Sequence, residues 1–300
     1  MQINLITGIS GSGKSVALKA FEDAGYDCID NLPVSLLENL VQTLESEKSE
    51  QVAVAIDARR GESIAKLPIL LEKLRINHQI RILFLNADTN TLVQRFSETR
   101  RRHPLSIQVA DNANKTLATT LIEAINQERA LLEPLRNQAH SIDTSNLPAQ
   151  ALRSWVQDLL QDKPIGLTII FESFGFKKGV PSEADLVFDV RCLPNPHYDK
   201  KLRPLSGNDL PVKEFLEKIP EVANMEGDII QFIEKWLPFY IADGRSYLTV
   251  AIGCTGGQHR SVYLVNRLSE HFRSQKSLKE IQINFLNRHR ELDSIPQAEA

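Results

Sequence analysis

The chain has 300 residues, 42% hydrophobic and 24% charged, enough to bury a sizeable core and of a length that suits two ordinary domains. Its formal net charge of −3 argues against a broadly basic nucleic-acid binder, and no apolar run approaches the roughly 18 residues of a membrane span. Cys28, Cys192 and Cys254 show no CxxC spacing, so neither a disulfide framework nor a structural zinc site is expected; because the opening MQINLITG lacks the marks of a secretion signal, a cytoplasmic location is.

Residues 2–160 alternate β-branched or apolar runs (INLIT, VAVAI, IRILFL) with amphipathic stretches at 34–44, 92–102 and 117–132. That rhythm predicts β-α units around a mostly parallel sheet. The polar, proline-containing residues Gln161, Asp162, Lys163 and Pro164 then interrupt the pattern, which places a boundary between a domain at 1–162 and another at 163–300. The second half carries strand-like LTIIFES, ADLVFDV, YLTVAIG and IQINFL, a long loop LPNPHYDKKLRP, and helical stretches at 212–218, 228–237 and 261–272. The expected fold is α/β throughout: an N-terminal domain with a mostly parallel sheet followed by a C-terminal α/β domain.

Gly8, Ile9, Ser10, Gly11, Ser12, Gly13, Lys14 and Ser15 spell GxxxxGK[ST] between the strand-like INLIT and the helix-like SVALKAFEDAG. The glycines let backbone N–H groups close around phosphates, Lys14 reaches the β- and γ-phosphates, and Ser15 offers a hydroxyl to Mg²⁺. A nucleotide, ATP or GTP, with Mg²⁺ is therefore the expected cofactor. Asp57 closes QVAVAID at the end of a neighbouring strand, where a second Mg²⁺ ligand belongs; Ala58, Arg59 and Arg60 follow it and meet phosphate or base. Lys14 and Asp57 are the catalytic candidates of what reads as an N-terminal P-loop NTPase domain. The alternative is that Asp57 caps the next helix and the arginines are solvated. Arg95, Arg100, Arg101 and Arg102 in QRFSETRRRHPLS read either as phosphate-clamping lid arginines or as a solvated helix end.

A second glycine loop, GCTGGQHRS at residues 253–261, follows YLTVAI and precedes a helical stretch. Its Cys-x5-Arg-Ser spacing is that of the anion cradle of cysteine phosphatases, in which loop amides and an arginine fork surround a phosphate and lower the thiol pKa. Three roles stay open for Cys254: lining a phosphate or phosphosugar site, nucleophilic catalysis, and inert burial. His197, flanked by Tyr198, Lys200, Lys201 and Arg203, approaches the same anion or an RNA backbone, or is solvated. Residues 273–290 hold five Lys or Arg and one acid, a nucleic-acid face or a solvated edge.

These motifs, in this order, resemble the RapZ-type family of RNase adapter proteins, over nearly the whole chain: GISGSGKSVALKAFEDAGYDCIDNLP, VAVAIDARR, RRRHPL, LTIIFESFGFKKGVPSEADLVFDVRCLPNPHYD and SYLTVAIGCTGGQHRSVYL. The resemblance implies a P-loop domain that binds and slowly hydrolyses ATP or GTP, and a C-terminal domain that binds glucosamine-6-phosphate through His197, Cys254, Gly256, Gly257, His259 and Arg260. It further implies small regulatory RNA and ribonuclease E as partners of a homo-oligomer. RNA-binding relatives carry a lysine where this chain has Gln258 and a basic cluster after RHR, where this chain continues ELDSIPQAEA; weak RNA binding is expected. Two enzyme readings stand beside the regulator: a small-molecule kinase using the same P-loop, and a cysteine phosphatase using Cys254.

Overall fold

Strands whose residues alternate between two buried faces run through the first half of the chain, and helices supply the crossovers that parallel pairing requires. The computed structural model describes residues 1–56, 66–106, 117–136, 138–161, 167–243, 245, 247–275, 278 and 283–293. The chain divides into two units, Met1–Asp162 and Lys163–Ala300.

In the first unit β1 (Gln2–Gly8), β2 (Asp27–Leu32), β3 (Gln51–Ile56), β4 (Gln79–Asn86) and β5 (His140–Asp143) form one sheet in the order β2-β3-β1-β4-β5, and all four pairings are parallel. The helices α1 (Lys14–Asp23), α2 (Leu37–Ser46), α3 (Leu67–Leu74), α4 (Thr89–Thr99), α5 (Leu117–Arg136) and α6 (Ala149–Gln161) cover both faces. Period-two alternation decides which residues go where: Ile3 and Leu5 join Val52, Val54, Ile82 and Phe84 under α2, α3 and α5, while Ile6, Ala53, Ala55, Leu83 and Leu85 pack beneath α1 and α6. The strands expected at INLIT, VAVAI and IRILFL are β1, β3 and β4. The helix expected at 92–102 begins earlier and stops earlier. Asp88 caps it by accepting from the Thr91 amide at 2.8 Å, and Arg100 leaves helical geometry at φ 51°.

The second unit is built on four parallel strands, β6 (Thr168–Gly175), β7 (Leu186–Asp189), β8 (Tyr247–Cys254) and β9 (Asn284–His289), in the order β7-β8-β6-β9. Its core joins Ile169, Phe171, Leu248, Val250 and Ile252 to the helices α7 (Leu210–Glu217), α8 (Pro220–Ala242) and α9 (Arg260–Ser274). Pro220 starts α8 well before the expected 228–237, at a first-turn position where its missing N–H costs nothing. Among the described residues no helix is long and apolar enough to cross a membrane. Both units are α/β, as the alternation predicts.

Candidate functional site

The first loop starts where β1 runs out at Gly8. This residue has φ 138°, and a Cβ there would lie 2.0 Å from the Leu85 carbonyl oxygen of the paired strand, so only glycine fits. Gly11 and Gly13 also take positive φ, at 87° and 103°, and the chain enters α1 at Lys14 with Gly13 as an N-cap that supplies no side-chain bond. Backbone donors at an uncapped helix start, with the positive end of the helix dipole behind them, suit an anion. Lys14 Nζ lies over the loop, 2.5 Å from the Gly8 carbonyl and 3.2 Å from that of Ile9. Ser15 is exposed in the first turn of α1.

Two groups of side chains hold this loop in place. Arg95 Nη1 donates to the Gly11 carbonyl at 3.0 Å and to Thr144 Oγ1 at 3.1 Å, and its Nη2 donates to the Thr144 carbonyl at 2.6 Å. Thr144 Oγ1 in turn lies 2.9 Å from the Ser12 carbonyl. Arg95 is therefore a brace of the loop, whereas Arg100, Arg101 and Arg102 are exposed. The second group centres on Glu128 of α5, 2% exposed, which accepts from the Ser10 amide at 2.7 Å, the Ser10 hydroxyl at 2.8 Å and His103 Nε2 at 3.1 Å. Burial pushes the Glu128 carboxyl upward, but the His103 and Ser10 hydrogen bonds and the charge of Lys14 outweigh it and hold the group below the usual carboxylate range.

Asp57, Ala58, Arg59 and Arg60 lie outside the described residues. The structure carries β3 as far as Ile56, one residue past the Ile6 to Ala55 pairing with β1. Among the described residues no group of three or more His, Cys, Asp or Glu side chains is placed to hold a metal ion.

The second loop leaves β8 at Cys254 and enters α9 at Arg260. Glycine is again required where backbones meet: Gly257 has φ 71°, and a Cβ on it would come 2.2 Å from Glu291 Cγ and 2.7 Å from the Gly175 nitrogen. Cys254 is 3% exposed, and its Sγ accepts from the Gly257 amide at 3.2 Å and lies 3.2 Å from Ser261 Oγ. Burial pushes this thiol up, yet the Ser261 and Gly257 hydrogen bonds and the Arg260 charge prevail and hold it below the ordinary value. Arg260, also 3% exposed, donates through Nη1 to the Arg191 and Leu193 carbonyls at 2.9 and 2.7 Å and through Nη2 to Thr255 Oγ1 at 3.3 Å, while its buried Nε has no hydrogen-bond partner among the described residues.

Arg260 and Thr255 line a cleft of about 500 Å³ together with Arg191, Leu193, Asn195 and Tyr198. It opens beyond the carboxyl ends of β7 and β8, where parallel sheets bind ligands. His259 is buried with Nε2 3.1 Å from the Leu202 carbonyl, and burial, the main cause, lowers its pKa. His197 is exposed in the neighbouring loop, its ring centroid 6.4 Å from that of His259. Of the six expected phosphosugar residues, Arg260 lines the cleft; Cys254, Gly256, Gly257 and His259 lie in the same loop, and His197 sits beside His259.

The reading of residues 273–290 as a cationic face is corrected at two of its five cations. Arg288 and Arg290 are interior groups, 4% and 6% exposed, and Arg290 donates to the Gly179 carbonyl at 2.7 Å and pairs with buried Glu291 at 3.1 Å, tying the end of β9 to the turn after β6. Arg273 is exposed, with Nη2 donating to the Phe285 carbonyl at 2.6 Å, and Lys276 and Lys279 lie outside the described residues. Sequence reasoning missed Glu128 and His103. The available signal was spacing: residues 121, 125, 132 and 135 of α5 are apolar and form one helical stripe in which position 128 is a glutamate.

A family profile described as RapZ-like N-terminal domain matches residues 1–163, and one described as RapZ C-terminal domain matches residues 167–293. A protein of Polynucleobacter asymbioticus called nucleotide-binding protein is 82% identical over 296 residues, covering 99% of each chain. Another of that name, from Cupriavidus metallidurans, is 56% identical over 97% of this chain and 99% of its own. Among solved structures, shikimate kinase from Bacteroides thetaiotaomicron is similar with a TM-score of 0.36 and 19% identity, over 53% of this chain and 98% of that one. A gluconokinase from Sinorhizobium meliloti gives 0.24 and 21%, over 46% and 98%. With the two profiles spanning both units and the relatives running the full length, this chain belongs to the RapZ family.

Proposed function

We propose that this chain is a regulatory protein whose first unit binds ATP or GTP with Mg²⁺ and hydrolyses it slowly, and whose second unit binds a phosphorylated sugar, glucosamine-6-phosphate. The observation that carries the first half is the glycine loop at the uncapped start of α1 with Lys14 lying across it. Relatives called nucleotide-binding proteins support it. Ser15 and Asp57 are the residues that would hold Mg²⁺. The exposed Ser15 hydroxyl is a hard oxygen donor, as that ion requires, and the bound ion would neutralise charge on the β- and γ-phosphates. Lys14 orients the same phosphates, and Arg59 and Arg60 extend the site.

For the second unit the support is the cleft at the head of α9, with a buried guanidinium whose Nε has no partner among the described residues and a neighbouring Arg191, paired with Asp189 at 2.7 Å and stacked 4.0 Å over the Phe176 ring. An anion there meets loop amides, a helix start and two arginines. The adapter part of the reading, small regulatory RNA and ribonuclease E, rests on family membership and on the exposed Lys177, Lys200, Lys201 and Arg203 beside the cleft. A cytoplasmic homo-oligomer belongs to the same reading. A small-molecule kinase is the second reading, favoured by exposed Arg100, Arg101 and Arg102 after α4; ADP release stimulated by a candidate acceptor would support it over slow, acceptor-independent hydrolysis.

The test is calorimetry with ATP, GTP and glucosamine-6-phosphate on the full chain and on Lys14→Ala. Loss of a charge-assisted contact worth roughly 1.5–3 kcal/mol lowers nucleotide affinity about 10- to 100-fold and leaves sugar-phosphate binding in place. Unchanged nucleotide affinity in folded Lys14→Ala would overturn the nucleotide assignment.

A further inference from the structure

The phosphate loop has a carboxylate built into it. Glu128 occupies an otherwise apolar stripe of α5 beside Ile125, Leu132 and Leu135, all fully buried, where a leucine would be the ordinary occupant. Both of its oxygens are directed at Ser10: Oε2 accepts the amide at 2.7 Å and Oε1 the hydroxyl at 2.8 Å. His103 completes the arrangement. Its Nδ1 accepts from the Leu105 amide at 3.2 Å, so Nε2 carries the proton it donates to Glu128 Oε2 at 3.1 Å. The imidazole is fully buried against Phe96, with centroids 5.2 Å apart. A buried charge of this kind is costly unless it is bonded on every side, and here the bonds go to a residue of the loop itself.

In a phosphate loop the backbone amides face the triphosphate and the lysine meets the β- and γ-phosphates. Here the amide of the third loop residue faces an internal anion, and Lys14 is close enough to act on that carboxylate by its charge. We propose that Glu128 is a specificity-determining residue of the nucleotide site: an internal anion that competes with the terminal phosphate of a nucleoside triphosphate for Ser10 and Lys14, and so narrows the preference for triphosphate over diphosphate. The proposal rests on the reading of this loop as a nucleotide site. Lys14 meets the β- and γ-phosphates, so the charge that a third phosphate adds contends with Glu128 for Lys14 and Ser10, and the repulsion falls more on the triphosphate than on the diphosphate. Disorder of the loop would act differently, weakening both nucleotides by a similar factor. The ratio of the two affinities therefore separates a specificity role from a merely structural one.

The experiment measures ATP and ADP binding, with Mg²⁺, to the full chain and to Glu128→Gln, which keeps the shape and one acceptor but removes the charge. The expected result is a shift of the affinity ratio toward ATP on the order of tenfold. An unchanged ratio, or one shifted toward ADP, would overturn the proposal, including when thermal stability falls. Lys14→Ala runs alongside. If it leaves both affinities intact, the nucleotide reading itself fails and takes this proposal with it; if it lowers them while Glu128→Gln leaves the ratio alone, only this proposal fails. Should Glu128→Gln not fold, the wild-type Ser10 amide proton gives the answer by NMR. It is expected far downfield, bonded to a carboxylate, in the free and ADP-bound protein, and displaced by a non-hydrolysable triphosphate. The same resonance in both nucleotide complexes would overturn the proposal.

Discussion

Replacing Arg95 by methionine keeps most of the aliphatic stem and removes the guanidinium that joins Gly11 to Thr144. Two backbone carbonyls, at 3.0 and 2.6 Å, and one hydroxyl, at 3.1 Å, lose a charged donor. Each such bond is worth roughly 1.5–3 kcal/mol, but the site is half-buried and water replaces part of what is lost, so about 2–4 kcal/mol is expected in total. For a unit of this size about 1 kcal/mol moves Tm by roughly 2–4 °C, which predicts a fall of about 5–15 °C for the first unit. Well below Tm the nucleotide should bind less than about tenfold more weakly, because the contacts to phosphate are still made and only their support is looser. A phosphate-clamping arginine would behave in the opposite way, costing affinity and leaving stability alone. Differential scanning calorimetry with parallel titrations distinguishes the two. An unchanged Tm combined with a large loss of ATP affinity would refute the bracing role.

Gly257→Ala is expected to destabilise the second unit by more than about 2 kcal/mol, because the new methyl group meets both a positive φ and the Gly175 nitrogen at 2.7 Å; a normal denaturation midpoint would contradict the packing described. The pH dependence of that unit follows from His259 and His289, whose pKa values burial lowers from the ordinary 6.5. Both are neutral in the fold while the unfolded chain takes up protons below 6.5, so their contribution is full above that pH and is lost as pH falls toward the folded values. Tm should therefore decrease on acidification below about pH 6.5, with a slope of at most about 1.4 kcal/mol per pH unit for each histidine, and flatten in the His259→Gln, His289→Gln double variant; an equal slope in that variant would contradict the assignment.

The first loop is legible in the sequence because few residues satisfy its backbone. Gly8, Gly11 and Gly13 all take positive φ, and the lysine after them has one place to reach. The inner strands β1, β3 and β4 are legible for a related reason, since burial on both faces leaves continuous apolar runs. β2 and β5 are not. DCIDNL buries only Leu32 fully, and HSID is four residues long, so neither yields a run or an alternation long enough to read. Charge is where the sequence misleads. Arg95 sits five positions before the RRR cluster and reads as one of it, yet tertiary contacts turn it inward. Arg288 and Arg290 read as surface cations until β9 is placed beside β6, where the register sets Arg288 next to Glu172 and both are buried. Glu291, the first of the acidic residues after RHR, lies under the second loop with its Oε2 3.0 Å from Lys178. It is thus a paired interior group, and it does not oppose RNA as a free surface charge would.

The two loops share one construction, a parallel strand running through a glycine loop to the start of a helix, but differ in the side chains that hold the cradle. The first is held by Arg95, Thr144 and Glu128, with Lys14 over its carbonyls. The second is held around a thiol bonded to the Gly257 amide and the Ser261 hydroxyl, and its arginine commits Nη1 to two carbonyls. A field that favours the thiolate is also a field that favours a bound phosphate, so the depressed thiol does not by itself argue for catalysis. Nucleophilic attack further requires the sulfur to reach phosphorus, and Cys254 is 3% exposed with both hydrogen-bonding neighbours on it. In this setting the thiol shapes the loop, and its burial between these two bonding partners argues against thiol chemistry there.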